Sequence, residues 1–135
     1  MTRPGRAATL AGMGTRTEVT AACAQVVDLL RAALGDRVIA VALFGSAARD
    51  PDGPWNDLDV YVLARDLPED PWDRAALLDA ALAALDPPWR RHVLARTPAE
   101  FEADVTPLML DLALDARILW DPAGYLGRSL ARLRE

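Results

Sequence analysis

The fold is decided by the stretch VIAVALFGSAARDPDGPWNDLDVYVL at residues 38–63. Its first part, Val38–Phe44, is a continuous apolar run rich in β-branched residues, which is typical of a strand buried on both faces of a sheet. Gly45 and Ser46 end this strand. The prolines and the glycine among residues 47–55 indicate a turn or loop after at most one helical turn.

A second strand is predicted at residues 57–63, where β-forming residues are frequent and side chains alternate between polar and apolar. The alternation places Asp57, Asp59 and Tyr61 on one side of the strand. Two carboxylates that point the same way can share one or two Mg²⁺ ions, which are commonly held by one or two carboxylates plus substrate phosphates. Such ions would activate an attacking hydroxyl and neutralise a leaving pyrophosphate.

The Gly45-Ser46 turn supplies the other half of such a site. Gly45 lets the backbone turn sharply and approach a phosphate closely. Ser46 offers a hydroxyl and a backbone N–H, and free N–H groups at a helix start favour anions. Phosphates on the turn and metal on the carboxylates together indicate phosphoryl-type transfer, in which positioning and charge stabilisation dominate.

The rest of the chain predicts helices and one more strand around these two strands. We expect residues 1–16, which are rich in glycine, to form a flexible N-terminal arm and residues 17–135 to form a single domain. Thr97, with Pro98 behind it and Glu100 three positions on, has the pattern of a helix cap. The predicted elements are helices at 17–34, 72–85, 107–115 and about 123–134, a strand at 89–95, and a helix beginning at Thr97.

Composition narrows the class of protein. The 135 residues have a net charge of −5 and a hydrophobic fraction of 52%, which fits one globular domain without a general attraction to nucleic acid. Cys23 is the only cysteine, so an intramolecular disulfide is excluded and a buried apolar role is expected. Since no run reaches the ~18 apolar residues of a membrane span, we expect a cytoplasmic protein without membrane contact.

Two motifs carry a resemblance to a known family. Phe44–Arg49, followed by Asn56–Val60, resembles the fingerprint of the DNA polymerase β-type nucleotidyltransferase superfamily. The best match is its small bacterial branch, the minimal nucleotidyltransferases, some of which act as antitoxins beside a HEPN-type ribonuclease toxin. The resemblance covers about residues 20–120. A Gly-Ser turn and a spaced Asp-x-Asp between two predicted strands make it specific, whereas Asp-x-Asp alone would be weak.

The resemblance implies an α/β (α+β) nucleotidyltransferase fold, with a mixed sheet of three or more strands flanked by helices. It implies that Asp57 and Asp59 are catalytic and bind Mg²⁺, and that Gly45 and Ser46 hold the triphosphate of an NTP, with ATP the expected donor. Arg49 matches the family's basic residue after Gly-Ser, so it either contacts phosphate or pairs with a neighbouring aspartate. The implied protein partner is a HEPN-type toxin or another protein.

One position departs from the family pattern. The family places a third carboxylate, a metal ligand and base, on the strand that follows the intervening helix. Counting back from Thr97-Pro98 puts His92 at that position, and Asp86 is the alternative acid if the register differs. His92 could be a base, since imidazole titrates near pH 6.5, although it is a poor Mg²⁺ ligand and suits Mn²⁺ better. Alternatively, catalysis is lost and His92 only fills space.

Three functions are compatible with these patterns. The first is Mg²⁺-dependent transfer of a nucleoside monophosphate from an NTP to a protein or RNA hydroxyl. The second is a catalytically degenerate, antitoxin-like module that acts by binding a partner protein, which the missing carboxylate favours. The third is a small-molecule transferase, for whose usual extra domain 135 residues leave little room. Trp55 is a candidate for stacking on a base, and Tyr61 for lining the pocket.

Overall fold

The structure is a computed structural model that describes residues 16–49, 57–86, 90–103 and 107–133. The strands within these ranges form one four-stranded sheet. They are β1 (Val38–Phe44), β2 (Asp57–Ala64), β3 (Arg90–Arg96) and β4 (Arg117–Trp120). The spatial order is β3-β2-β1-β4, with β1 antiparallel to β2 and to β4, and β2 parallel to β3. A mixed sheet of three or more strands is therefore confirmed.

Helices cover both faces of this sheet. A 3₁₀ turn at Gly35–Arg37 joins the first helix to β1. The α-helices of the described residues are α1 (Arg16–Leu34), α2 (Ser46–Arg49), α3 (Pro71–Ala81), α4 (Pro98–Ala103), α5 (Pro107–Asp115) and α6 (Tyr125–Leu133). None of them is long and apolar enough to span a membrane.

The core is divided by the sheet into two clusters. On one face, α1 and α3 pack against alternate residues of β2, including Leu58 and Val60. On the other face, α4, α5 and α6 pack against Tyr61 and Leu63. Burial on both faces explains why β1 is apolar at every position. Since side chains alternate, Asp57 and Asp59 lie on the same face as Tyr61, as the sequence predicted.

Helix starts follow the capping patterns of the sequence. The side chain of Asp70 accepts hydrogen bonds from the backbone N–H groups of Trp72 and Asp73 at 2.8 and 3.1 Å, and α3 begins at Pro71. Thr97 and Glu100 form a reciprocal capping box at the start of α4, with bonds of 2.9 and 3.2 Å.

Several predicted boundaries need correction. The helix predicted at 72–85 ends at Ala81 and continues as a turn. The last helix begins at Tyr125 rather than near residue 123, because the Asp121 carboxylate accepts hydrogen bonds from the N–H groups of Leu126 and Gly127. Residues 1–15 of the predicted arm lie outside the described residues, and Arg16 is already helical.

Strand β4 was not expected from the sequence. It has only four residues, and two of them are exposed, so neither a buried run nor a clear alternation marks it. It exists because β1 offers it a second edge, where Arg117, Ile118 and Trp120 of β4 pair with Leu43, Ala42 and Val41. A non-local partner therefore decides the structure of a segment whose own pattern is weak.

Cys23 has the buried position expected of a small apolar residue. Burial raises the pKa of its thiol to about 11, with a smaller opposing effect from Arg117. At neutral pH the side chain is therefore a protonated thiol packed in the α1 side of the core.

Candidate active site

Strand pairing brings the predicted site residues together. Asp59 on β2 pairs with Phe44 on β1 and with His92 on β3. Two positions earlier, Asp57 pairs with Arg90. Each acidic residue of β2 therefore has a basic residue of β3 beside it, on the same face of the sheet.

Asp59 is the more enclosed of the two carboxylates, with 24% of its side chain exposed. Burial raises the pKa of this carboxyl above its usual value. The positive charges of His92 and Arg49 oppose this shift, and the negative charge of Asp57 adds to it. The surroundings of Asp59 therefore do not supply enough positive charge to offset the burial of its ionised form, so a cation bound there would be favoured.

Gly45 lies directly against this carboxylate. Its φ is +75°, and a β-carbon at this position would stand 2.9 Å from Cγ of Asp59 and closer still to Oδ2. The Gly45 carbonyl accepts hydrogen bonds from the N–H groups of Ala48 and Arg49, both at 3.1 Å, which starts α2. The sequence indicated a glycine for a sharp turn. The structure adds that the missing side chain is what allows Asp59 to occupy its place.

Asp57 has an unsatisfied oxygen. Its Oδ1 is buried and accepts no hydrogen bond from the described residues. Arg90 Nε lies 3.3 Å from the same atom, which makes an ion pair without hydrogen-bond geometry. A buried acceptor without a donor is costly, so this atom is suited to a ligand that supplies positive charge.

These two carboxylates fit a divalent cation that is completed by other ligands. Within the described part of the chain, no group of three or more His, Cys, Asp or Glu side chains is arranged to hold a metal. Mg²⁺ nevertheless commonly keeps several waters and takes only one or two protein carboxylates together with substrate phosphates. The orphaned oxygen of Asp57 and the raised pKa of Asp59 therefore agree with a site that fills only when a nucleotide brings the remaining ligands.

His92 lies on β3, directly beside Asp59. Its Nδ1 lies 3.7 Å from Oδ1 of Asp59, and 72% of its side chain is exposed. Its ring meets the ring of Phe44 edge-on, with centroids 6.4 Å apart. The distance to Asp59 is too long for a hydrogen bond, so His92 is free to turn toward a bound molecule.

Asp86, the alternative third acid, lies elsewhere. Its backbone N–H and carbonyl are both hydrogen-bonded to the side chain of Gln25 on α1, at 3.1 and 2.6 Å. It precedes β3 by several residues, whereas the position beside Asp59 belongs to His92. The residue beside Asp59 on β3 is therefore His92 and not Asp86.

The other predicted residues differ in how close they lie to the carboxylate pair. Arg49 is the last residue of α2 and is exposed, and its positive charge acts to lower the pKa of Asp59. Ser46 begins α2, which puts its backbone at the start of that turn. Tyr61 is 1% exposed and packs against Phe101 with ring centroids 6.3 Å apart, so it belongs to the core beneath the site. Trp55 lies outside the described residues.

Arg90 was not singled out from the sequence. Its position follows from the parallel pairing of β2 with β3. Because Asp59 lies beside His92, the residues two positions earlier on each strand, Asp57 and Arg90, also lie side by side. A strand pairing cannot be deduced from local pattern alone, which is why the residue was missed.

Comparison with known proteins gives structural matches only. No family model matches the sequence, and no curated protein matches it. A chain from a toxin–antitoxin structure with AMP-PNP superimposes with a TM-score of 0.58 at 20% identity, over 83% of this chain and 86% of that one. A chain from the complex of tri-AMPylated Shewanella oneidensis HEPN toxin with MNT antitoxin gives 0.56 at 19% identity, over 85% of each chain.

A third match has the same character. A chain from a toxin–antitoxin structure described as MntA-HepT superimposes with a TM-score of 0.55 at 19% identity, over 85% of this chain and 86% of that one. At such identities the match concerns the fold and not the activity. Together with the Gly-Ser turn beside an Asp-x-Asp strand, these matches show that the chain has the nucleotidyltransferase fold of MNT-type toxin–antitoxin components.

Proposed function

We propose that this domain transfers a nucleoside monophosphate from ATP to a hydroxyl group of a partner protein. The observation that carries the proposal is the pair Asp57 and Asp59, with one buried oxygen unsatisfied and one carboxyl whose pKa burial raises. Two neighbouring carboxylates, one with a buried oxygen that has no donor, would be stabilised by a bound cation. The matched complex that contains an AMPylated toxin supports ATP as the donor and a protein as the acceptor. The RNA hydroxyl that the sequence also allowed lacks such support.

In this reaction the acceptor oxygen attacks the α-phosphorus of ATP. The new O–P bond forms as the bond from the α-phosphorus to the bridging oxygen breaks, and pyrophosphate leaves. Mg²⁺ held by Asp57 and Asp59 would neutralise charge on the phosphates and lower the pKa of the attacking hydroxyl. Gly45, Ser46 and Arg49 would bind the triphosphate, since N–H groups at a helix start favour anions and Arg49 adds positive charge.

His92 would take the proton of the acceptor hydroxyl. It is beside Asp59, largely exposed and without a hydrogen bond to that carboxylate, so its ring can reach an incoming hydroxyl. Neutral imidazole is a competent base near neutral pH. We expect the reaction to take place in the cytoplasm, where ATP is available.

The test is label transfer from α-³²P-ATP in the presence of Mg²⁺ or Mn²⁺ and the protein encoded beside this one. Label on that neighbour with the wild-type chain, and none with Asp59→Asn, is the expected result. Label that survives in Asp59→Asn would overturn the assignment of the site. Circular dichroism of the variant shows that the loss is not a failure to fold.

A second candidate function is partner binding without catalysis. The observation that favours it is the basic pairing of the site, with Arg90 beside Asp57 and His92 beside Asp59 where a third acid is expected. These basic residues partly offset the negative charge of the carboxylates without metal. Titration calorimetry separates the two functions: tight binding of the neighbour protein that Asp57→Ala leaves unchanged, together with no label transfer, would favour the binding module.

A further inference from the structure

Arg90 gives the candidate metal site a positive charge of its own. It is the first residue of β3, and the parallel pairing of β2 with β3 places it directly beside Asp57. Its Nε lies 3.3 Å from Oδ1 of Asp57, the buried oxygen that accepts no hydrogen bond from the described residues. Neighbouring strands are about 4.8 Å apart, so the register of the sheet keeps this charge close to the carboxylate.

The ion pair between Arg90 and Asp57 is nevertheless weak. It lacks hydrogen-bond geometry, since Oδ1 of Asp57 has no donor although Nε is near. The side chain of Arg90 is 77% exposed and that of Asp57 is 42% exposed, and exposed pairs contribute little because solvent screens them. Arg90 can therefore leave Asp57 at small cost, because water solvates its guanidinium group in either position.

The next residue of β3 shows how different a firmly held arginine is. Arg91 points to the opposite face of the sheet, where it donates to Asp79 at 2.8 Å, and only 19% of its side chain is exposed. Arg90 differs in both respects: its charge stands next to a buried carboxylate oxygen, and most of its side chain is in solvent. Its contact is therefore the more easily exchanged of the two.

A metal ion on Asp57 would compete with this arginine. The buried Oδ1 without a donor and the neighbouring carboxylate of Asp59 form the kind of oxygen donor set that suits a divalent cation. A metal ion and a guanidinium group at the same oxygen repel each other, so the oxygen serves one of them at a time. Arg90 therefore lowers the affinity of the carboxylate pair for a free metal ion.

A nucleotide changes this balance. Metal ions at carboxylate sites commonly take phosphate oxygens as further ligands, so a metal that reaches Asp57 with a nucleotide brings phosphate to the side of β2 on which Arg90 lies. Guanidinium groups bind phosphate through charge-assisted and often bidentate hydrogen bonds. At the phosphates Arg90 would regain the anionic partner that it loses when the metal takes Asp57.

We propose that Arg90 is a positioning residue that couples metal binding to nucleotide binding. Without nucleotide it holds the carboxylate of Asp57, and when a metal and a nucleotide enter together it moves from that carboxylate to the phosphates. This role rests on the proposed function, because it requires that Asp57 binds metal. It adds a reason why the metal should bind tightly only with a nucleotide, and this coupling must act equally in both directions.

Binding of Mn²⁺ tests this role without acceptor or turnover. Electron paramagnetic resonance measures the Mn²⁺ that remains free in a titration. Calorimetry at saturating Mn²⁺ measures the affinity for α,β-methylene ATP, in which the bond that the reaction breaks is replaced by a carbon bridge. Arg90→Gln should bind Mn²⁺ alone about threefold to fivefold more tightly than the wild type, because the competing charge is gone. It should bind the analogue at least about fivefold more weakly, because a phosphate partner is gone.

Two matched variants separate the position of the charge from the charge itself. Arg91→Gln makes the same change one position along β3, on the opposite face. Both affinities should stay within about twofold of the wild-type values, since solvent and salt screen a charge on that face. Arg90→Lys keeps the charge but not the planar fork, so it should bind Mn²⁺ alone as the wild type does and the analogue with intermediate affinity. Circular dichroism confirms that each variant is folded.

The outcomes distinguish the role of Arg90 from the proposed reaction. The role is overturned if Arg90→Gln binds Mn²⁺ no more tightly than the wild type, if it binds the analogue equally well, or if Arg91→Gln shows the same effects. If neither the wild type nor Arg90→Gln binds Mn²⁺, with or without the analogue, the proposed metal site is contradicted as well. The expected affinities without label transfer to the neighbour protein would support the role of Arg90 and contradict the proposed reaction.

Discussion

Gly45 has no room for a side chain because the carboxylate of Asp59 occupies the space where a β-carbon would project. The glycine turn and the Asp-x-Asp strand, which are separate motifs in the sequence, are thus two sides of one contact. This contact sets the position of Asp59 relative to the start of α2, where the triphosphate is proposed to bind. It also gives a test in which strain and site geometry can be separated.

Gly45→Ala should abolish label transfer, because the new methyl group displaces Asp59. A loss of roughly 100-fold or more is expected from a catalytic carboxylate moved by about 1 Å. Gly35→Ala is the matched control: Gly35 also has a positive φ, +61°, but a β-carbon there meets nothing within 4 Å. Both variants should lose about 1 kcal/mol of stability from the left-handed backbone. Full activity in Gly45→Ala would show that the contact has no role.

Asp59→Asn should stabilise the metal-free protein at neutral pH. Since burial raises the pKa of this carboxyl above its ordinary value of 3.8, its ionisation opposes folding. The destabilising effect is absent below the unfolded pKa, grows as the pH rises between the two pKa values, and is complete above the folded one. Thermal unfolding at pH 7 and at pH 3 measures this: the variant should gain at pH 7 and not at pH 3. A lower melting temperature at pH 7 would contradict the electrostatic account of Asp59.

His92→Ala should lower the rate of label transfer by about 100-fold, at the low end of what a general base contributes. His92→Asp should retain transfer with Mg²⁺, because a carboxylate there can act as a base and adds an oxygen ligand for the metal. Initial rates with Mg²⁺ measure both effects. If His92→Ala transfers label as fast as the wild type, His92 is not the base.

Glu100 should contribute to stability in a way that is lost in acid. Hydrogen bonds from Arg74, helped by Thr97, lower the pKa of Glu100 to about 2. The contribution is present above the unfolded value of about 4.5 and is lost as the pH falls toward 2. It amounts to only about 1 kcal/mol, since 43% of the side chain is exposed and solvent screens it. Chemical denaturation of Glu100→Gln between pH 2 and pH 7 should show a flatter profile than the wild type.

Arg74→Ala should cost more than Glu100→Gln. Arg74 also donates to the carbonyls of Pro68 and Ala95, at 2.8 and 3.1 Å, and it is largely buried. Removing it leaves several acceptors unsatisfied, for a loss of about 2 kcal/mol. Asp79→Ala, which removes the exposed ion pair with Arg91, is the control and should change stability by less than about 0.5 kcal/mol. Equal losses in the two variants would show that burial of Arg74 does not matter.

The sequence predicted the features that depend on local pattern. The apolar run Val38–Phe44 predicts a strand that is buried on both faces, and the alternation from Asp57 onward predicts a strand with two different faces. In both cases the evidence is the local order of polar and apolar residues. The capping pattern at Thr97 was equally local, and the capping box it predicts is present at the start of α4. Residues in such patterns interact with neighbours a few positions away, so their arrangement can be inferred without the fold.

The features that depend on pairing between distant residues were not predicted. Strand β4 forms by pairing with the second edge of β1. Arg90 becomes a candidate site residue only because strand pairing places it beside Asp57. Gly45 follows β1 and Asp59 lies on β2, and their separation along the chain does not show that the two residues are in contact. The burial of Tyr61 beneath the site required knowing that helices cover that face.

The central claim, that Asp57 and Asp59 form a nucleotide-dependent metal site, is tested most directly by anomalous X-ray scattering. Crystals of the protein with Mn²⁺ and a non-hydrolysable ATP analogue should show manganese at about 2.1 Å from oxygens of both carboxylates. Crystals of the double variant Asp57→Asn and Asp59→Asn, prepared in the same way, should show none at this position. Manganese bound elsewhere in the wild type, or retained at this position in the double variant, would contradict the claim.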